Sequence, residues 1–173
     1  MVKEIDVAKF FINLDINHEL FNQTKKEING LTFYEGNLRL NKYLHMAQNL
    51  YIAKTGKPLM DAPLYAYKNG AVMPKVQQNY NAILKSASDF KPDFSKEVTA
   101  FLTAVYKAFE NASIEELIEL SHEDVEWQNK RKNSTGDTFE SQRMDSMAHA
   151  NEYKEQYKSM LDIMERNLMH EWS

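Results

Sequence analysis

The stretch Asn37-Leu38-Arg39-Leu40-Asn41-Lys42-Tyr43-Leu44-His45-Met46-Ala47-Gln48-Asn49-Leu50-Tyr51-Ile52-Ala53-Lys54-Thr55-Gly56-Lys57-Pro58 decides the fold class. Leu40, Tyr43, Leu44, Ala47, Leu50 and Tyr51 recur at the three- and four-residue spacing that lines up one face of an α-helix. Lys42, His45 and Asn49 fall on the opposite side and are expected to point away from that apolar face. Gly56, followed by Pro58, ends the helix: glycine accepts a left-handed cap, and proline cannot continue the turn. A central helix over 37–54 is therefore expected.

Upstream, Val7, Phe10, Phe11 and Leu14 give the stripe of a first helix, with Asp6 placed to cap it. Leu20, Phe21 and Ile28 suggest a second helical piece that stops at Asn29-Gly30. Downstream the pattern changes: 64–68 and 71–73 flank Asn69-Gly70, a residue pair suited to a tight hairpin turn. Pro74 sits where the first residue of the next helix belongs, and Val76, Tyr80, Ile83, Leu84 and Ala87 supply its stripe. Ser95 caps a helix carrying Val98, Phe101, Leu102, Val105 and Phe109. Ser113 and Glu116 have capping-box spacing and open a shorter helix through Ile114, Leu117 and Ile118. A polar turn carrying Trp127 follows His122-Glu123-Asp124. Residues 133–143 read as a flexible connection, and Tyr153, Tyr157, Met160, Leu161, Met164 and Leu168 mark a C-terminal helix within 144–173, expected to pack on the same domain as 1–132. The expected fold is mainly α: a compact single-domain bundle of about six helices with one small hairpin near 64–73.

The composition is that of an ordinary globular domain: 173 residues, 43% apolar and 27% charged. Five glycines and four prolines are too few for a turn-rich β-sandwich. Cysteine is absent, which removes disulfides, thiolate metal sites and a cysteine nucleophile. A net charge of −4 argues against a nucleic-acid or membrane-surface role. The charged start and the lack of a long apolar run lead to a cytoplasmic expectation.

Candidate chemistry is sparse. Of His18, His45, His122, His149 and His170, no two stand at i, i+4. No nucleophile elbow, phosphate loop or dinucleotide fingerprint occurs. His45, His122 and Asp124 could in principle gather a divalent metal for hydrolysis, and Lys130-Arg131-Lys132 could meet DNA in an operon regulator. A structural histidine and a solvated helix end are the simpler readings of these two features. No cofactor is expected. Tyr43, Tyr65, Tyr67 and Trp127 are residue types that suit protein interfaces, or that pack a hairpin onto helices.

Several ordered blocks bear a resemblance. Leu38 to Gln48, then Ala53-Lys-Thr-Gly56-Lys-Pro-Leu59, then Ala66-Tyr-Lys-Asn-Gly70-Ala-Val-Met-Pro74 resemble the Panacea domain of the SocA-like antitoxin family. Members show a leucine-x-lysine helix, a Gly-Lys-Pro-Leu turn and an Ala-Trp-x-x-Gly-Pro-Val-x-Pro segment in this order. Leu117 to Trp127, with Leu-Ser-His-Glu at 120–123, and the piece Val7-Ala8-x-Phe10 fit the same family. Here Tyr67 stands for the usual tryptophan and Ala71 for the proline, and nothing after about 130 matches.

The resemblance implies a non-enzymatic antitoxin that binds a toxin encoded nearby, with a protease as a further partner where a member acts as adaptor. The contact patch expected on this reading comprises Lys42, His45, Tyr65, Tyr67, Asn69, Gly70, His122 and Trp127, with Gly56, Gly70 and Pro74 serving the backbone.

Overall fold

A computed structural model describes residues 1–133 and 138–172, with side chains to Asn167. The chain is mainly helical, as its stripes require. α2 (Glu35–Thr55) is the axis of the molecule. Around it stand α1 (Glu4–Leu14), α5 (Lys96–Phe109), α6 (Ile114–His122) and α8 (Ala150–Gln156). Because α2 is enclosed on every side, its residues from Leu38 to Leu50 are all buried. The expected apolar stripe forms the core: Tyr43 is met edge-on by Phe11 at 5.5 Å and Phe21 at 5.2 Å between ring centroids. α2 ends as its sequence demands, with Gly56 at φ 74° donating its N–H to the Ile52 carbonyl at 2.8 Å.

The hairpin read from 64–73 is present, pairing β3 (Tyr65–Tyr67) with β4 (Gly70–Val72) in antiparallel register. Lys68 and Asn69 make the turn, and Gly70 opens β4 at φ 107°. Pro74 starts α3 (Pro74–Gln78). The next stripe is divided: α4 (Tyr80–Ser86) follows a break at Asn79, whose N–H bonds back to Val76. Ser95 caps α5 by accepting the Val98 N–H, and the Ser113–Glu116 capping box opens α6 with both reciprocal bonds. α7 (Val125–Asn133) carries Trp127 and Arg131.

Three expectations are corrected. Helix α1 starts two residues before Asp6; Lys3 is the cap residue and Asp6 lies in the first turn. The piece expected as a second helix is a turn followed by a second hairpin. Buried Asp15 accepts the backbone N–H groups of Glu19, Leu20 and Phe21 through its carboxylate, which fixes that loop and seats Phe21 in the core. Then β1 (Lys25–Ile28) pairs with β2 (Leu31–Tyr34) across Asn29 at φ 53° and Gly30 at φ 79°, the two positive values a tight hairpin turn requires. The C-terminal helix is divided by Tyr157 into α8 and α9 (Lys158–Trp172). Of its stripe, Tyr153, Tyr157 and Met164 are buried and Met160 and Leu161 half-buried, while the side chains of Leu168 and His170 lie outside the described residues.

Of the connection expected over 133–143, residues 134–137 lie outside the described residues. Beyond them, Phe139 stacks on Tyr65 with centroids 4.2 Å apart, and Met144 donates its N–H to the Leu64 carbonyl at 2.8 Å. Among the described residues no helix is long and apolar enough to cross a membrane.

Candidate functional site: a hairpin held by a buried polar relay

The β3–β4 hairpin is too short to be stable alone, and its two edges explain how the sequence keeps it in place. On the β4 edge, the Ala71 carbonyl accepts from Lys42 Nζ at 2.8 Å, and the Ala71 N–H donates to Ser121 Oγ at 2.9 Å. Met73 donates its N–H to Asn41 Oδ1 at 2.9 Å. On the β3 edge, the Tyr67 carbonyl accepts from Trp127 Nε1 at 2.9 Å and the Ala66 carbonyl from Arg131 Nη1 at 3.2 Å. Side chains from α2, α6 and α7 thus take the places that neighbouring strands would fill.

Behind Ser121 runs a relay across the core. Ser121 Oγ lies 2.7 Å from His45 Nδ1, and His45 Nε2 lies 2.6 Å from Asp124 Oδ2. Asp124 also accepts from Asn49 Nδ2 at 2.7 Å, Tyr153 Oη at 2.6 Å and the Glu126 N–H at 2.8 Å. A serine hydroxyl donating to Nδ1, with Nε2–H donating to the carboxylate, satisfies each of these groups at once. Burial alone would raise the Asp124 carboxyl, but His45, Tyr153 and Asn49 outweigh it and hold the group down at about 2. Burial, reinforced by the Asp124 charge, pushes the Tyr153 phenol above its ordinary value.

The residue types are those of a nucleophilic relay, yet Ser121, His45 and Asp124 are each 0% exposed. The Ser121 hydroxyl faces a strand edge rather than a cleft. What this arrangement does is mechanical: it connects the hairpin, α2, α6 and the C-terminal segment through one chain of hydrogen bonds.

The sequence-predicted contact residues divide accordingly. Lys42 and His45, read as facing away from the apolar stripe, are wholly buried and point into the hairpin and the relay. Burial also lowers the Lys42 ammonium to about 7. Tyr65, Asn69 and Gly70 are buried, while Tyr67, His122 and Trp127 are half-buried at the surface. His122 stacks on Trp127 with centroids 4.0 Å apart, and its Nε2 meets the Lys68 carbonyl at 3.1 Å. Asn69 Oδ1 accepts from Asn29 Nδ2 at 2.6 Å, which joins the tips of the two hairpins. His45 and Asp124 do meet, but among the described residues no three His, Asp or Glu side chains gather as a metal set. Arg131 belongs to the hairpin clamp, not to a free basic run.

Asn41, Asn49, Ser121, Arg131 and Tyr153 were missed. The available signal was the polar series Lys42, His45 and Asn49 in a helix flanked by apolar residues on both sides. Gly70 has a direct consequence: a Cβ there would lie 2.6 Å from Lys42 Cε and 2.7 Å from Ser121 Oγ, at a φ that side chains rarely adopt. Gly70→Ala is therefore expected to lower stability by about 2 kcal/mol in urea unfolding, whereas unchanged stability would mean that the clamp is loose.

The family model for the SocA-like antitoxin Panacea domain matches residues 40–128, just over half of the chain. These limits take in the clamped hairpin and the relay from Lys42 to Asp124, and leave out α1, the first hairpin and the C-terminal helices. The chain belongs to the SocA-like antitoxin family, with the general antitoxin-like role that this family carries. No curated protein and no solved structure matches it significantly.

Proposed function

We propose that this protein neutralises a toxin encoded beside it by binding and occluding it in the cytoplasm, without reaction chemistry of its own. The observation that carries this reading is the clamped hairpin. Buried Asn41, Lys42, His45, Ser121 and Asp124 of the family segment are engaged in fixing a ledge, so the ledge is ordered before any partner arrives, which reduces the ordering cost of association. The contact surface on this reading is the accessible side of that ledge: Tyr67, Lys68, His122 and Trp127, with Asn69 buried beneath the turn. Lys42, His45, Tyr65 and Gly70 act through it, by holding it in position. A protease that receives the bound toxin is the second partner this reading admits.

The test is co-expression with the product of the neighbouring gene. Growth is expected to be rescued and a stable complex recovered by size-exclusion chromatography. Trp127→Ala, which removes the His122 stack and the Tyr67 hydrogen bond, is expected to weaken the complex by about 2 kcal/mol. A toxic neighbour that is neither bound nor neutralised by the unaltered protein refutes the reading.

A further inference from the structure

Between the two hairpins lies a groove of about 500 Å³. Its apolar side is formed by Leu31 and Phe33 of β2 together with Leu38 and Val72. Leu31 is 48% exposed, an apolar side chain left open beside a core-facing cluster. Among the described residues, the charged ones lining the groove are Lys68 and Arg131, and no acidic side chain lines it, in a chain with an acidic balance overall.

A further observation points to a negatively charged occupant. Asn69 also lines the groove, and its Nδ2 is buried without an acceptor. A buried donor without a partner costs about 1–3 kcal/mol. Two cations and one unsatisfied amide thus converge where no anion of the described residues lines the groove.

We propose that this groove is the seat for a carboxylate-bearing, otherwise apolar segment of the partner protein. The carboxylate would lie over Gly70 between Lys68 and Arg131, with its apolar neighbours on Leu31, Phe33 and Val72. The apolar wall selects a peptide over a nucleic-acid backbone, which would need a more extended basic track. This proposal rests on the antitoxin reading for the partner's identity, but not for the chemistry of the groove.

The experiment has two arms. In the first, fluorescein-labelled Leu-Asp-Leu-Asp-Leu amide is titrated into the full-length protein and compared with Leu-Asn-Leu-Asn-Leu amide. A preference of about tenfold or more for the acidic probe is expected. It should vanish in Lys68→Glu, an exposed site that leaves the fold intact, and in Lys68→Glu/Arg131→Glu. It should persist in Lys85→Glu/Lys96→Glu, which carries the same charge change on exposed sites outside the groove lining. No preference, a preference that survives reversal in the groove, or tighter binding of a single-stranded oligonucleotide at the same residues overturns the proposal. In the second arm the neighbouring gene product replaces the peptide. Neutralisation unaffected by the groove variants overturns the groove and leaves the antitoxin reading standing, whereas a toxic neighbour unbound by the unaltered protein, beside an intact peptide preference, removes the antitoxin reading alone.

Discussion

Asp124→Ala is expected to lower the unfolding free energy by about 3–5 kcal/mol, the range for removing one member of a buried, hydrogen-bonded charge set. The reason lies in what the carboxylate leaves behind. His45 Nε2, Asn49 Nδ2, Tyr153 Oη and the Glu126 N–H all point at it within 2.8 Å, in an interior that water does not reach. Urea unfolding followed by tryptophan fluorescence gives the number. A loss under about 1 kcal/mol would mean that those donors find other acceptors, and the relay would then not be what joins the C-terminal segment to the hairpin. Acid should remove a smaller part, roughly 2–3 kcal/mol, in the native chain. The carboxyl is held at about 2 in the fold against an ordinary value near 3.9, so its contribution is complete above about pH 5 and disappears as pH falls through 4 toward 2.

The second large effect runs the other way along the pH axis. Lys42 is 0% exposed and its ammonium is lowered to about 7, against about 10.4 in an unfolded chain. Between these two values the unfolded state binds the extra proton, so stability rises with pH across the window. Raising the pH from 7 to 9.5 is expected to add roughly 3 kcal/mol from this side chain. Lys42→Met, which keeps the length but carries no charge, should lack this rise and be the more stable form near pH 6. Other titrating groups, such as His149, contribute to both proteins and cancel in the difference. Above about pH 10 the gain should reverse, because burial raises the phenols of Tyr43, Tyr80, Tyr153 and Tyr157 and only the unfolded chain then ionises them readily. Identical pH profiles for the two proteins would show that the ammonium is solvated or paired.

Much of the fold was legible because its signals are local. The Gly56 stop, Pro74 at a helix start, the Ser95 cap and the Ser113–Glu116 box are short-range rules, and each holds. The first hairpin is equally local, yet Asn29-Gly30 reads as a helix stop, whereas Asn69-Gly70 reads as a turn. The difference was context. Around 64–73 the flanking residues are largely apolar, while β1, Lys25-Lys26-Glu27-Ile28, is mostly charged, and neither β1 nor β2 has a buried residue. The relay was hidden for another reason. A stripe of Lys, His and Asn on a helix ordinarily means solvent, and only the approach of β4, α6 and α8 turns it into core. Ser121 and Asp124 are 76 and 79 residues from His45, and no periodicity encodes that distance. Tyr67 and Trp127 are each of a residue type that suits an interface, but the hydrogen bond from the Trp127 indole to the Tyr67 carbonyl is legible only in three dimensions.

The way β3 and β4 are bordered also bears on how copies of this protein behave when crowded. A two-stranded ribbon with bare rims invites an identical ribbon alongside, and such additions can continue into fibres. Here the rim groups of Ala66, Tyr67, Ala71 and Met73 already serve as acceptors and donors for Arg131, Trp127, Lys42, Ser121 and Asn41. A newcomer strand would have to displace those side chains one by one, so polymerisation through this ribbon is blocked for as long as the helices beside it stay folded.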